Sequence, residues 1–424
     1  MNDFMEKSDK MVFLSFFVGI FSQFVFFYPF IMSLFWMAGA LLFFIYRERH
    51  ESIDFDHIDW PMVSFLVPCY NEESTISETI RHLSEMPYPK KEIIAVNDGS
   101  TDQTEHVLEN LAGQYKELRV INCKENCGKA NSLHLACHAS SAEYLICIDA
   151  DAILDPNAAY YLVYHFIHKG ERVGAVTGNP RVRNRSSLLS KLQIIEYASI
   201  IGSIKRTQRI IGKVMTVSGV VAAFRKKALI DVGLWDRDMI TEDIAVSWKL
   251  QRHFWDIRYE PRALCWMLVP ETIRGIWKQR VRWAQGGEEV LLRHWKIFLD
   301  WRQRRIWPIY LEQAASVFWS FSWIILMIWK QITAHSWEEH VIWLSLTSFV
   351  LVAMSFLQLI SATLMDSKHD NVRQYLIWSC WYPVFYWILS TFVVIAALPK
   401  AVRSRIKGGY AVWSSPDRGI GRNL

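Results

Sequence analysis

The chain lacks a disulfide framework. Its seven cysteines, Cys69, Cys123, Cys127, Cys137, Cys147, Cys265 and Cys380, are an odd number scattered through apolar or helical-looking sequence. That excludes a stapled secreted domain and is what reduced thiols on the cytoplasmic side look like. Cys123, Cys127, His134, Cys137 and His138 fall close together without C-x2-C or H-E-x-x-H spacing, so no structural metal is expected there. Charge of one sign is also missing: 47 Lys+Arg against 42 Asp+Glu leave +5. So small a surplus does not suggest a nucleic-acid partner and suits basic segments beside a membrane. With 19 Gly, 13 Pro and 21% charged residues, collagen-like, low-complexity and disordered classes drop out. Most informative is a local absence: no charged side chain occurs from Met11 to Tyr46.

What is present is 51% hydrophobic residues, 14% aromatics and 20 tryptophans, with a mean hydropathy of only +0.09. Such a chain mixes membrane segments with a polar domain. As one straight helix the Met11–Tyr46 run would greatly exceed a hydrocarbon core of about 30 Å, so residues 1–47 are expected to form two short passes hinged near Tyr28-Pro29. The run is too long for a signal peptide and stops at Arg47-Glu48-Arg49-His50, a basic end that puts the polar domain after it in the cytoplasm. Residues 290–306 read as an aromatic, basic amphipathic helix on the membrane surface. Three further spans are expected in 307–399: Trp307 to Trp329, Val341 to Met365 and Tyr375 to Leu398. The tail, 400–424, carries Arg403, Arg405 and Lys407. Three crossings would strand those cations outside, against the positive-inside rule.

Residues 48–289 have the composition of an α/β domain. Phe65-Leu66-Val67, Ile93 to Val96 and Tyr144 to Ile148 read as strands, and Ser74–Glu85, Gln103–Tyr115 and Lys129–Ala139 as crossover helices. In such a sheet the ligand site lies beyond the carboxyl ends of the strands. Polar clusters follow each strand: Tyr70-Asn71-Glu72, Asp98-Gly99-Ser100, and Asp149-Ala150-Asp151. On an extended chain the two aspartates would share a face and offer hard oxygens to Mg²⁺ or Mn²⁺ on a diphosphate. The plain alternative for each cluster is a turn or helix cap. Thr241-Glu242-Asp243 opens an amphipathic helix, where a carboxylate is either a general base or a complement to the helix dipole. Gln279-Arg280-Val281-Arg282-Trp283 combines cations suited to a departing diphosphate with an indole on which a sugar can stack; its alternative is a basic helix on anionic lipid.

These five motifs, in this order and between membrane segments, resemble the processive family-2 glycosyltransferases, which include the cellulose, chitin and hyaluronan synthases. Tyr46-Arg47-Glu48-Arg49-His50, Gly174 to Arg181, Ile204 to Arg209, Tyr259 to Leu264, Trp283 to Gly287 and the tail Ser415-Pro416-Asp417-Arg418-Gly419 are similar to the bacterial poly-β-1,6-N-acetyl-D-glucosamine synthases. The resemblance implies a glycosyltransferase A-type domain, Rossmann-like with a mostly parallel sheet, inserted between transmembrane helices. It implies that UDP-N-acetylglucosamine is polymerised and exported across the bacterial inner membrane for biofilm formation. By similarity, Tyr70, Glu72 and Asp98 hold uridine, Lys129 approaches the nucleotide, and Asp149 and Asp151 hold UDP and its Mg²⁺ or Mn²⁺. Asp243 is then the general base, beside Glu242, with Gln279, Arg282 and Trp283 at the diphosphate and acceptor end. A small two-pass membrane subunit and cyclic di-GMP control are also implied. A synthase of chitin, hyaluronan or cellulose type and a lipid-linked monosaccharide transferase are the alternatives. Glu312, costly in lipid, is expected to face protein or a polar passage.

Overall fold

In the computed structural model, residues 2–49, 53–333, 337–409 and 411 are described. His50 and the Ser415–Gly419 tail motif lie outside them.

Apolar runs buried on both faces make the centre of the sheet. Strands β1 (Val63–Cys69), β2 (Lys91–Asn97), β3 (Leu118–Asn122) and β4 (Tyr144–Ile148) are parallel neighbours, and β1 and β4 are buried along their whole length. With β5 (Ile153–Leu154), β6 (Val173–Val182), β7 (Val221–Arg225) and β8 (Asp256–Met267), they form one sheet of order β3-β2-β1-β4-β7-β6-β8-β5. β7 is antiparallel to both β4 and β6, whereas β6 and β8 run parallel. From β1 the sheet proceeds to β2 on one side and to β4 on the other. The carboxyl ends of these strands therefore border a crevice at a change of strand order, the usual ligand position in such sheets. The expected helices are present as α2 (Ile76–Glu85), α3 (Thr104–Gln114) and α4 (Lys129–Ala139).

The membrane segments depart from expectation in three places. α1 (Asn2–Phe43) runs unbroken through Pro29 into a π-helical turn, Phe44–Glu48, in place of the two expected passes. A proline costs little in a long helix whose neighbours take up the freed backbone groups; beside it, Tyr28 Oη donates to the Glu312 carbonyl at 3.2 Å. The 290–306 stretch is not a separate helix. Its start completes α10 (Ile273–His294), and two short 3₁₀ turns, Trp295–Leu299 and Trp301–Gln303, lead into α11 (Trp307–Thr333). Val290, Ile297, Ile306 and Ile309 are buried with Trp248, so the domain core extends past residue 289. After α12 (Trp337–Asp366), the Tyr375–Leu398 stretch begins as a 3₁₀ segment, Arg373–Trp381, and continues as α13 (Tyr382–Lys407). α13 packs along α10, with Val393 and Ala397 on Val281. Farther on, Arg405 donates to the Leu292 carbonyl and the amide of Ala411 to that of Arg237, at 2.9 Å. Among the described residues, three helical stretches are long and apolar enough to cross a membrane: Phe16–Glu48, Trp307–Thr333 and Ser348–Asp366.

Two of these stretches end in buried acids that meet on the domain. Arg206, on α7 (Ile204–Ile211), places Nε and Nη2 at 2.8 and 2.9 Å from the Glu48 carboxylate, and Nη1 at 2.6 Å from Asp366. Arg181 of β6 takes the other Asp366 oxygen at 2.7 Å, and His369 reaches Glu48 at 2.6 Å. Removing one member of a buried ion pair strands its partner, typically costing about 3 kcal/mol or more. Asp366→Asn should accordingly lower the thermal unfolding midpoint of the detergent-solubilised protein by several degrees. Asp370→Asn, whose carboxylate pairs with Arg185, a side chain 20% exposed and so less desolvated than Arg206, should lower it by less.

Candidate active site

The loops after β1 and β2 are stitched together. Asn71 adopts a positive φ of 56°, from which Oδ1 accepts the Thr101 amide at 2.9 Å while its own amide donates to Ser100 Oγ at 3.0 Å. The Glu72 amide donates to Thr104 Oγ1 at 2.7 Å, and the Glu72 carboxylate, fully buried, accepts from Thr75 Oγ1 at 2.7 Å. Tyr70 is half-buried at the rim. Asp98 is also fully buried, and its two oxygens accept the amides of Cys127 (3.0 Å) and Gly128 (2.8 Å). Burial pushes its carboxyl above the usual range despite those bonds. Gly99, at φ 67°, lies so close that a Cβ would sit 2.6 Å from the Glu125 backbone carbon. Glu72 and Asp98 therefore build the loops under the crevice, and Tyr70 is the more open of the three.

The Gly128 turn opens α4, whose first residue is Lys129. Its ammonium lies 2.5 Å from Asp149 Oδ1, 3.2 Å from Glu242 Oε1 and 3.3 Å from the Gly219 carbonyl. Those two carboxylates outweigh burial and hold the Lys129 pKa well above its ordinary value. Asp149 and Asp151 do not lie on an extended strand as expected. β4 ends at Ile148, and the Ala152 amide closes a turn onto the Asp149 carbonyl at 3.1 Å. The turn leaves the Asp149 side chain about a quarter exposed and Asp151 nearly buried. Asp149 and Glu242 already gather round one cation, Lys129, and their hard oxygens are of the kind a divalent ion shared with a diphosphate takes, although among the described residues no group of three or more His, Cys, Asp or Glu is arranged to hold a metal by itself.

Glu242 and Asp243 begin α9 (Glu242–Arg252). Asp243 Oδ2 accepts the Gly219 amide at 3.0 Å, and Oδ1 the Ile244 amide at 2.9 Å. Burial, followed by the neighbouring Glu242 charge, raises its pKa to about 6. The loop bearing Gly219 is held from behind by Lys205, a residue that sequence reasoning missed. This buried ammonium donates to Ser218 Oγ (2.6 Å) and Thr177 Oγ1 (3.0 Å), and burial with only hydroxyl partners lowers its pKa to about 7. A lysine beside an arginine and a threonine on a basic helix looks solvated in sequence; only its depth shows otherwise.

Gln279, Arg282 and Trp283 lie three and four residues apart on α10 and share one face. Arg280 adjoins them: its Nη1 donates to Gln279 Oε1 at 3.3 Å, its guanidinium lies 4.2 Å from the Trp283 ring centroid, and it pairs with buried Glu196. α10 reaches the carboxylate cluster through Gly286, where a Cβ would lie 1.8 Å from Thr241 Oγ1. The Glu289 carboxylate also accepts the Ile240 amide at 3.3 Å. The helix carrying Gln279 to Trp283 thus abuts the turn carrying Glu242 and Asp243.

The family model described as "Glycosyltransferase like family 2" matches residues 61–286. The chain belongs to that family. It is 44% identical over 407 residues to a poly-β-1,6-N-acetyl-D-glucosamine synthase from Staphylococcus epidermidis, covering 94% of this chain and 98% of the relative. The same identity and coverage relate it to the synthase of that name from Staphylococcus aureus (strain COL), over 414 residues. A mannosyltransferase from Pyrobaculum calidifontis, solved with GDP-Man and Mn2+, shares the fold at a TM-score of 0.58 and 19% identity, over 89% of this chain and 98% of its own. The domain is thus a glycosyltransferase of the A-type fold, flanked by helices apolar enough to span a membrane.

The Gly286 contact makes a specific demand on transfer activity. Gly286→Ala should push Thr241 and the adjoining carboxylates aside and cut sugar-nucleotide turnover roughly tenfold or more, a typical cost of small misplacement. Gly287→Ala, which meets the ends of the flexible Gln313 and Met215 side chains, should keep most of it.

Proposed function

We propose that this chain polymerises N-acetylglucosamine from UDP-N-acetylglucosamine into poly-β-1,6-N-acetyl-D-glucosamine and passes the product through the membrane. The observation that carries this is the 44% identity, over 94% of the chain, to synthases of that name. Asp243 is the base in this reading. It takes the proton of the acceptor 6-hydroxyl, whose oxygen attacks the anomeric carbon of the α-linked donor. The bond from that carbon to the UDP oxygen breaks in the same displacement, UDP departs, and the new linkage is β. Mg²⁺ or Mn²⁺ bound at Asp149 and Asp151 would supply charge neutralisation for the diphosphate. Lys129 and Arg282 add fixed cations to the leaving group, Tyr70 packs on the base of the nucleotide, Glu72 and Asp98 hold the loops that cradle it, and Gln279 and Trp283 orient the acceptor.

A base must be ionised to work. Asp243 carries its proton below about pH 6, so turnover should fall tenfold per unit as pH drops below that value and level off above it. Asp243→Asn should lose on the order of 100-fold or more and lose this acid limb. A near-normal rate, or an unchanged limb, would remove Asp243 from the role.

The membrane arrangement proposed with this function has three crossings. α1 enters the bilayer and returns its carboxyl end to the domain at Glu48, α11 leaves the domain, and α12 comes back at Asp366. α13 then lies on α10, which keeps Arg403 and Arg405 on the domain's side, the cytoplasm, in accord with the positive-inside rule. A small two-pass subunit under cyclic di-GMP control belongs to the same reading and predicts weak synthesis by this chain alone. Inside-out membrane vesicles given UDP-N-acetylglucosamine and Mg²⁺ should release UDP and form polymer that a β-1,6-specific hexosaminidase digests, and added protease should reach both domain and tail. A lipid-linked monosaccharide as sole product would favour the monosaccharide transferase instead.

A further inference from the structure

A cavity of about 290 Å³ lies where the end of α1 meets the back of the domain, and none of the catalytic residues line it. Its walls carry Arg47 from the π-helical turn that follows α1 and Lys169, Arg209, Arg258 and Arg262 from the domain, against Glu48 and Glu260. The acids are already committed. Glu48 is neutralised from behind by Arg206, and Glu260 accepts from Arg262 (2.7 Å) and His165 (3.0 Å). Asp256 has to serve two guanidiniums, Arg209 at 2.9 Å and Arg258 at 2.6 Å.

The cleft thus holds more fixed positive charge than its carboxylates can answer. At Arg209, burial lowers the pKa, the Asp256 carboxylate raises it, and the charges of Arg258 and Arg47 lower it again, with a net shift downward. Nearby Lys213 is brought down to about 8, because burial, together with the charges of Arg209, Arg305 and Arg172, outweighs the attraction of Asp256. Like charges crowded into a partly desolvated cleft are relieved by an anion, and guanidiniums favour one with the fork geometry of phosphate.

Position selects the source of that phosphate. The cleft opens where the apolar stretch Phe16–Glu48 ends, and the adjoining α1 surface is apolar and bare: Leu41, Leu42 and Ile45 are exposed and Tyr46 is 76% exposed. An acyl chain laid on that flank would deliver its headgroup to Arg47. We propose that this cleft binds the phosphate of an anionic phospholipid from the leaflet next to the domain, with Arg47, Arg209 and Arg258 as its principal contacts. A basic pocket beside a spanning helix is a recurrent form of headgroup site.

The inference rests on α1 crossing the bilayer, which alkaline extraction of membranes reads separately from lipid binding. The test uses the full chain in mild detergent, with phosphatidylglycerol, phosphatidylcholine or inorganic phosphate added and the thermal midpoint measured. Phosphatidylglycerol should raise the midpoint by roughly 3 °C, the scale expected for a ligand well above its dissociation constant. Phosphatidylcholine should leave it unchanged, and inorganic phosphate should raise it by less than phosphatidylglycerol does. Arg47→Glu and Arg258→Glu should each abolish the rise; Arg47 is exposed, so that variant should match wild type in phosphatidylcholine. An equal rise with phosphatidylcholine, or a full rise in both variants, would overturn the site. A full rise with inorganic phosphate alone would overturn the lipid as its source.

Discussion

The union of membrane helices and sugar-transfer domain turns on one buried guanidinium, Arg206. Burying an ion costs several kcal/mol unless its partner is well placed. Here two arginines, Arg181 and Arg206, face two acids, Glu48 and Asp366, with formal charges in balance. If α1 or α12 slid by one residue, a carboxylate would leave the cluster and strand a charge in the interior. The network therefore fixes the depth and rotation of two candidate spans relative to the sheet. The helix that carries Arg206 spreads this constraint. One residue earlier, Lys205 holds the loop against which Asp243 rests; one residue later, Thr207 Oγ1 donates to the Trp36 carbonyl of α1 at 2.8 Å. Arg209 ends at the basic cleft. α7 is thus the piece through which membrane helix, catalytic loop and cleft share one frame.

The carboxylates at the crevice are differentiated by the company they keep. Asp149 and Glu242 share Lys129, so each has a cation within ion-pair distance. Asp243 has backbone amides instead and lies beside Glu242, so its proton is held to higher pH. Environments that separate the behaviour of neighbouring acids separate their tasks: the paired ones suit cation and phosphate handling, the unpaired one suits proton transfer. The buried lysine behind the loop belongs to the same scheme, because its bonds to Ser218 and Thr177 hold the loop whose Gly219 amide Asp243 accepts.

The α/β domain is legible in the sequence because its signals are local. The Tyr144–Ile148 run is a strand buried on both faces and reads as one, and α4 begins at Lys129 and ends at Ala139 as its pattern implies. The order of polar clusters after the strands suffices to gather them at one sheet edge. Three features are not legible. The aspartates after β4 read as extended, whereas the chain turns at once, and short polar turns have no periodicity to announce them. Pro29 reads as a hinge because its tolerance depends on neighbouring helices. The Arg206 network joins residues about 160 positions apart, and no spacing rule reaches that far. The packing of α13 on the domain is equally hidden from sequence, because the contact of Val393 and Ala397 with Val281 of α10 looks, by hydropathy, the same as a contact with lipid.

The same distinction divides the tryptophans. Trp248 stacks on His294 inside the core, at 5.6 Å and 11°, and Trp36 is buried against α7. Trp295 and Trp301 stand exposed beside Leu299 just before α11 leaves the domain, where an amphipathic ring suits a membrane interface. Trp283 is the one in the motif, and its surroundings narrow what it can do. Arg280 lies 4.2 Å from the ring centroid and is itself held by Glu196, so one face of the indole is occupied by a cation that is not free to leave. In the proposed acceptor role, a sugar ring would stack on the opposite face. Trp283 also packs against the cluster of Tyr197 and Val182. In that proposed role, a platform used from one side would give the acceptor a single direction of approach, from the helix whose Gly286 touches the turn carrying Asp243.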